Sequence, residues 1–139
     1  MDNTEQLAIE VQRSVAQALA EDVGRGDLTA QLIDAGRHAR GAVVSREDAV
    51  LCGTAWFDAA FKILNPASRI EWARQDGDQV GAGDLLCVVD ADARTLLTAE
   101  RTALNFLQLL SATATQTRRF VQAVAGTRAK IVDTRKTLP

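Results

Sequence analysis

At 139 residues the chain suits one domain with a substantial core, and 47% hydrophobic with 24% charged residues is the balance of a soluble globular protein. The net charge of −2 hides an uneven spread: residues 1–91 hold 8 basic and 15 acidic side chains, whereas residues 92–139 hold 8 basic and 3 acidic. The second stretch therefore attracts anions, but its basic residues are dispersed and Phe106 and Phe120 are its only aromatics, which argues against a nucleic-acid platform and for a small anionic ligand.

From about Thr4 to Val23, Leu7, Val11, Val15 and Leu19 recur every four residues, predicting a helix with one buried stripe. Asn3 with Gln6 reads as its capping box and Gly24 as its stop. The acidic, glycine-punctuated turn Glu21 to Thr29 follows. It lacks the closing Glu of a calcium loop and the Gly-Lys-Ser/Thr of a phosphate loop. Arg25-Gly26-Asp27 spells an adhesion tripeptide, a match that three residues make often by chance. The plainer reading has Asp27 capping a short helix over Leu28 to Ile33.

Ala39 to Glu47 and Ala49 to Cys52 read as strands. A helix opening at Thr54 then carries Trp56, Phe57, Ala60, Phe61 and Leu64 into the core and ends at Asn65-Pro66. Residues 69–91 are strand-rich: Ile70 and Trp72 alternate with polar neighbours, Asp76-Gly77 turns the chain, Asp78 to Asp84 is a second tight turn, and Leu85 to Val89 is a buried strand. The turn pattern looks like half of a biotinyl or lipoyl carrier domain. None of the lysines, Lys62, Lys130 and Lys136, sits at such a hairpin tip, so the carrier function does not follow. From Leu97 a helical pattern sets in, with Thr98 as its cap and Ala99, Ala103, Phe106, Leu107, Leu110 and Ala114 on one face. It resumes over Thr113 to Ala125, with Phe120, Val121 and Val124 inward and Arg118-Arg119 outward, and stops at Gly126. Ala129 to Asp133 reads as a strand that delivers Thr134, Arg135 and Lys136 into a turn. Arg offers a planar fork for a carboxylate and Lys a compact charge beside it, so this strand end is a candidate anion site. His38 sits in a polar stretch without metal-ligand spacing to any partner, and Arg94 reads as a solvated or interface charge.

Cys52 and Cys87, each in an apolar run, read as buried reduced thiols, which points to the cytoplasm. The polar N-terminus shows no signal peptide, and Leu85 to Val89 is far too short to span a membrane.

Four blocks in order carry a resemblance: Glu-Asp-x-Gly-x-Gly-Asp-x-Thr (Glu21 to Thr29), Leu-Leu-Thr-Ala-Glu-Arg-Thr-Ala-Leu-Asn-Phe-Leu-Gln-x-Leu-Ser (Leu96 to Ser111), Ala-Thr-Gln-Thr-Arg-Arg-Phe (Ala114 to Phe120) and Asp-Thr-Arg-Lys-Thr-x-Pro (Asp133 to Pro139). Together they resemble quinolinate phosphoribosyltransferase. The resemblance implies an α+β fold: an N-terminal α/β sandwich (hammerhead-like) domain, residues 1–112 with the connecting helix, and the start of a C-terminal open α/β barrel, residues 113–139. Most of that barrel would lie beyond Pro139. It implies transfer of a phosphoribosyl group from phosphoribosyl pyrophosphate to quinolinate with decarboxylation, for NAD biosynthesis, in a cytoplasmic homodimer or higher homo-oligomer, without nucleic acid or membrane partners. It assigns Thr134, Arg135 and Lys136 to a cationic cage for quinolinate, and Arg101 to the site of the neighbouring subunit. It also implies Mg²⁺, with ligands outside this chain. Ala112 stands where the family usually has Gly; a methyl there is compatible with a helix and narrows a close crossing. The alternatives are a catalytically incomplete dimerisation or binding module, and the molybdenum-transport-associated paralogue.

Overall fold

A computed structural model describes residues 2–24 and 26–133. Its centre is β5 (Leu85–Asp92), an apolar run long enough to pair on both sides. The strand β1 (His38–Val44) flanks it on one edge and β3 (Arg69–Trp72) on the other, both antiparallel, giving the order β1-β5-β3. The register steps from Val43↔Cys87 to Val44↔Leu85, so Leu86 is the extra residue of a bulge. The extra residue lets Leu86 and Cys87, neighbours in sequence, both lie buried. A second, two-stranded sheet pairs β2 (Ala49–Val50) with β4 (Gln79–Val80). The predicted turn over Asp78 to Asp84 therefore holds a short strand before it turns. β5 also runs three residues past the predicted end at Val89, because β1 supplies partners as far as Asp92.

Among the described residues there are four helices, α1 (Asn3–Val23), α2 (Leu28–Gln31), α3 (Thr54–Leu64) and α4 (Ala93–Ala123); α4 packs on β1, β2 and β5, and the other three pack on α4. Val11, Val15 and Leu19 of α1 are buried as their spacing predicts, but Leu7 is exposed, so the stripe begins one turn late. The predicted Asn3–Gln6 capping box is replaced by an N-cap at Asp2 without a side-chain bond. Asp27 does cap α2, accepting from Ala30 N–H at 3.0 Å, and α2 ends at Gln31 rather than Ile33. In α3, Phe57, Ala60 and Phe61 are buried and Leu64 remains partly exposed. The indole N–H groups of the half-buried tryptophans find partners: Trp56 donates to Ser14 Oγ at 3.1 Å, and Trp72 donates to Asp58 Oδ1 at 2.9 Å. These two bonds tie α3 to α1 and to β3. Burial pushes the Cys87 thiol up to about 12, an inert thiol; Cys52 is only half-buried, contrary to its sequence reading.

The two predicted helical stretches after Leu97 are one 31-residue helix, α4, which starts earlier than expected. Its cap is Asp92, not Thr98: Oδ1 accepts from Thr95 N–H at 3.0 Å and Oδ2 accepts from the Thr95 hydroxyl and, at 2.7 Å, from Asn65 Nδ2. One carboxylate thus joins the end of α3, the end of β5 and the start of α4. The Thr95 hydroxyl foremost, with the Asn65 amide and backbone N–H donors, lowers the Asp92 pKa from 3.8 to about 2. A depressed folded pKa contributes stability that is complete above about pH 4 and is lost as pH falls toward 2. Unfolding measured between pH 5 and 2 should therefore show a loss in the wild type that is smaller in Asp92→Asn. Equal slopes would remove Asp92 from the acid response.

Beyond Leu110 the expectation fails in part. Phe120 is 53% exposed and Val121 is exposed too, so neither points into a core among the described residues. Ala129–Asp133 is not in a strand: both sheets are built from residues 38–92, and β-branched side chains without a neighbouring strand form no ladder. His38 is the first residue of β1 rather than part of a loop, 4.0 Å from Asp90. No helix among the described residues is long and apolar enough to cross a membrane.

Candidate functional site

α4 is fastened to the rest of the chain by polar contacts at both ends of its buried stretch. Ala99, Ala103 and Leu107 form the apolar face that joins the core. One turn further on, the Ser111 hydroxyl accepts from Cys52 N–H at 3.0 Å and donates to Cys52 C=O at 3.1 Å. Thr115 Oγ1, one more turn along, accepts from Val50 N–H at 2.8 Å. Spaced i, i+4, these hydroxyls satisfy backbone groups at and beside β2, which a neighbouring strand would otherwise have to pair. The Ser-x-x-x-Thr spacing beside the apolar stripe of α4 is the signal for these bonds that the sequence carries. Ala112 lies between them and is exposed, so its methyl narrows no crossing within the described chain.

Near the start of α4, residues 94, 98 and 101 share one face at i, i+4, i+7 spacing. The Arg94 guanidinium donates from Nε and Nη2 to Ile33 C=O at 2.8 and 2.6 Å. Thr98 Oγ1 donates to Asp27 Oδ2 at 3.0 Å, and Arg101 Nη1 donates to Asp22 Oδ1 at 2.9 Å. The partners 33, 27 and 22 run opposite to 94, 98 and 101, so the glycine-punctuated turn lies antiparallel along α4 as three rungs. Arg94 is thereby a structural clasp rather than a solvated charge. Asp27 serves two elements at once; the Ala30 N–H foremost and then the Thr98 hydroxyl hold its pKa below the usual carboxylate range.

The third rung is the candidate functional one. The side chain of Arg101 stays 75% exposed although Asp22 engages it, whereas the Asp22 side chain is 26% exposed. Among the described residues only Nη1 has a partner, which leaves the Nε and Nη2 edge open to a ligand from outside. Arg101 borders a recess of about 370 Å³ with Leu97, Glu100, Leu104, Asn105 and Gln108. Leu97, Glu100, Leu104 and Gln108 also line a groove of about 1070 Å³ between β1 and α4, whose floor reaches Leu51, Phe57 and Val89. Arg119 stands at the far end of the groove on α4, exposed as the sequence predicts. The other predicted ligands, Thr134, Arg135 and Lys136, lie outside the described residues. No group of three or more His, Cys, Asp or Glu side chains that could hold a metal ion occurs among the described residues.

Residues 27–111 match the family described as quinolinate phosphoribosyl transferase, N-terminal domain. The chain belongs to that family. Its span includes the Asp27 and Thr98 rung, Arg101 and the Ser111 contact. The chain is 42% identical over 133 residues to the nicotinate-nucleotide pyrophosphorylase [carboxylating] of Mycobacterium leprae, covering 91% of this chain and 46% of that protein. It is 37% identical over 123 residues to a probable enzyme of the same name from Synechocystis, covering 88% of this chain and 42% of that one. The structure of the nicotinate-nucleotide pyrophosphorylase from Francisella tularensis superposes with a TM-score of 0.90 at 37% identity, over 95% of this chain and 48% of that one. The quinolinate phosphoribosyl transferase fold over these residues is thus mixed helix and sheet, α+β. The chain spans under half the length of these relatives.

Proposed function

We propose that the chain is the N-terminal portion of an enzyme that transfers the phosphoribosyl group of phosphoribosyl pyrophosphate to quinolinate and decarboxylates it. The products are nicotinate mononucleotide, CO₂ and pyrophosphate, for NAD biosynthesis. Residues 1–112 form the α/β sandwich (hammerhead-like) domain with its connecting helix, and residues 113–139 lead into an open α/β barrel. The enzyme is a cytoplasmic homodimer or higher homo-oligomer. The single observation that carries this reading is the family match over residues 27–111; the names of the relatives supply the reaction.

The substrate's chemistry sets what this chain must do. The ring nitrogen of quinolinate attacks C1 of the ribosyl group, where positive charge develops, and the 2-carboxylate leaves once the ring nitrogen is cationic. A dicarboxylate needs fixed cations around it. Thr134, Arg135 and Lys136 form one part of that cage, and Arg101, with an open guanidinium edge on an exposed helix face, reaches into the site of the neighbouring subunit. The resemblance also implies Mg²⁺, but no set of three or more His, Cys, Asp or Glu side chains among the described residues fits it.

In the full-length enzyme, Arg101→Ala should raise the KM for quinolinate with little change in the KM for phosphoribosyl pyrophosphate. Loss of one charge-assisted bidentate contact costs about 1.5–3 kcal/mol, or roughly 10–150-fold. Steady-state kinetics with each substrate varied separately decides it; an equal loss for both would remove Arg101 from the quinolinate site. The exposed Leu97, Leu109, Phe120 and Val121 along α4 favour, as a second reading, a module whose work is assembly alone.

A further inference from the structure

We propose that Asp22 is a positioning residue that presents the open edge of Arg101 to a carboxylate ligand supplied from outside the chain. The inference rests on the proposed role of Arg101 in binding quinolinate and names the residue that makes that role possible. An arginine three-quarters exposed on a helix samples many rotamers, and holding it in one costs side-chain entropy at the moment of binding. Asp22 removes much of that cost in advance. It holds Nη1 at 2.9 Å, and among the described residues Nε and Nη2 have no hydrogen-bond partner. A carboxylate can grip those two nitrogens as a fork without displacing Asp22.

The position of Asp22 is itself held. It lies in the last turn of α1, where partial negative charge from the backbone makes a carboxylate unfavourable unless a cation joins it. That turn contains no basic residue of its own. Arg101 supplies the missing cation from α4, so the pair is favoured at both ends. The neighbouring rungs, Thr98 to Asp27 and Arg94 to Ile33, fix the segment that follows α1 against the same helix face. Arg101 is therefore paired beside two further contacts on the same helix face.

The test compares Asp22→Asn, Asp22→Glu, Arg101→Ala and the double variant Asp22→Asn/Arg101→Ala in the full-length enzyme, with quinolinate and phosphoribosyl pyrophosphate varied separately. Asp22→Asn should raise the quinolinate KM roughly tenfold, the order by which supporting partners act on a ligand-binding group. The KM for phosphoribosyl pyrophosphate and the thermal midpoint should stay near wild type. Asp22→Glu, which keeps the charge, should recover most of the loss. The double variant should match Arg101→Ala alone, because Asp22 acts only through Arg101. Four results overturn the proposal: an unchanged quinolinate KM in Asp22→Asn beside a raised one in Arg101→Ala; a lowered KM, which would mean that Asp22 withholds Arg101; losses that multiply in the double variant; or a parallel fall in both substrates and in the thermal midpoint. If Arg101→Ala itself leaves quinolinate binding intact, the reading of the site fails first and this inference fails with it.

Discussion

Phe57→Ala should lower the unfolding free energy by about 3–5 kcal/mol, the range for truncating a fully buried aromatic. Phe57 is 1% exposed, with its ring centroid 5.1 Å from that of Phe61 and 5.2 Å from that of Trp72. The Trp72 contact is edge-on, the geometry that ring quadrupoles favour, so the loss exceeds buried area alone. The void would open between α3 and the sheet, where Trp72 is anchored through its bond to Asp58 and cannot easily swing in. Domains are stable by about 5–15 kcal/mol, so the change should lower the melting temperature by roughly 10–20 °C. Urea or thermal unfolding of the two proteins measures it. A change below about 1 kcal/mol would mean that Phe57 is not packed as described.

Gly53→Ala should be almost as costly, by about 2–4 kcal/mol. Two effects add there. Gly53 adopts φ +107°, a conformation that side chains resist, and an added Cβ would lie 2.9 Å from Leu110 Cδ1, 3.3 Å from Leu110 Cβ and 3.5 Å from Phe106 C=O. The cap of α3 thus presses directly on α4: Leu110 Cδ1 can swing aside, but the Leu110 Cβ cannot yield without moving the helix, while the Phe106 carbonyl stays at ordinary contact distance. Gly83→Ala separates the two effects, because Gly83 has φ +90° and open space around its would-be Cβ. Denaturant unfolding should show Gly53→Ala losing at least 1 kcal/mol more than Gly83→Ala. Equal losses would leave only backbone strain and no close approach.

Periodicity and turn chemistry carried most of the fold. The buried Val11, Val15 and Leu19, the Asp27 cap and the α3 core residues all follow from local spacing, which the sequence prints directly. What did not follow was long-range. Asp92 outcompeted Thr98 as the cap of α4 because β1 and Asn65 fix the end of β5, an arrangement that no local window contains. The β-branched Ile131 and Val132 imitate a strand, but pairing depends on a neighbour and not on side-chain type. At the site, the resemblance singled out Arg101, while its brace was invisible because Asp22 is 79 positions away. Locally, the acidic Glu21 to Thr29 turn reads as a helix stop and a cap. Its other purpose, clasping α4, emerges only when 94, 98 and 101 are seen on one helix face.

The three rungs also govern when the domain can finish folding. Each joins residues 61 to 79 positions apart, so none can close until the start of α4 exists. Chains are synthesised at about 5–20 residues per second, so roughly 4–16 s separate the emergence of Asp22 from that of Arg101. During that interval α3 and then β5 are made, so the apolar stripe of α1 meets α3 first and only the face owed to α4 waits. The clasp onto α4 is thus a late step, added to elements that can already pair. Until then the acidic turn that clasps α4 in the folded protein leaves Asp22 and Asp27 without their α4 partners.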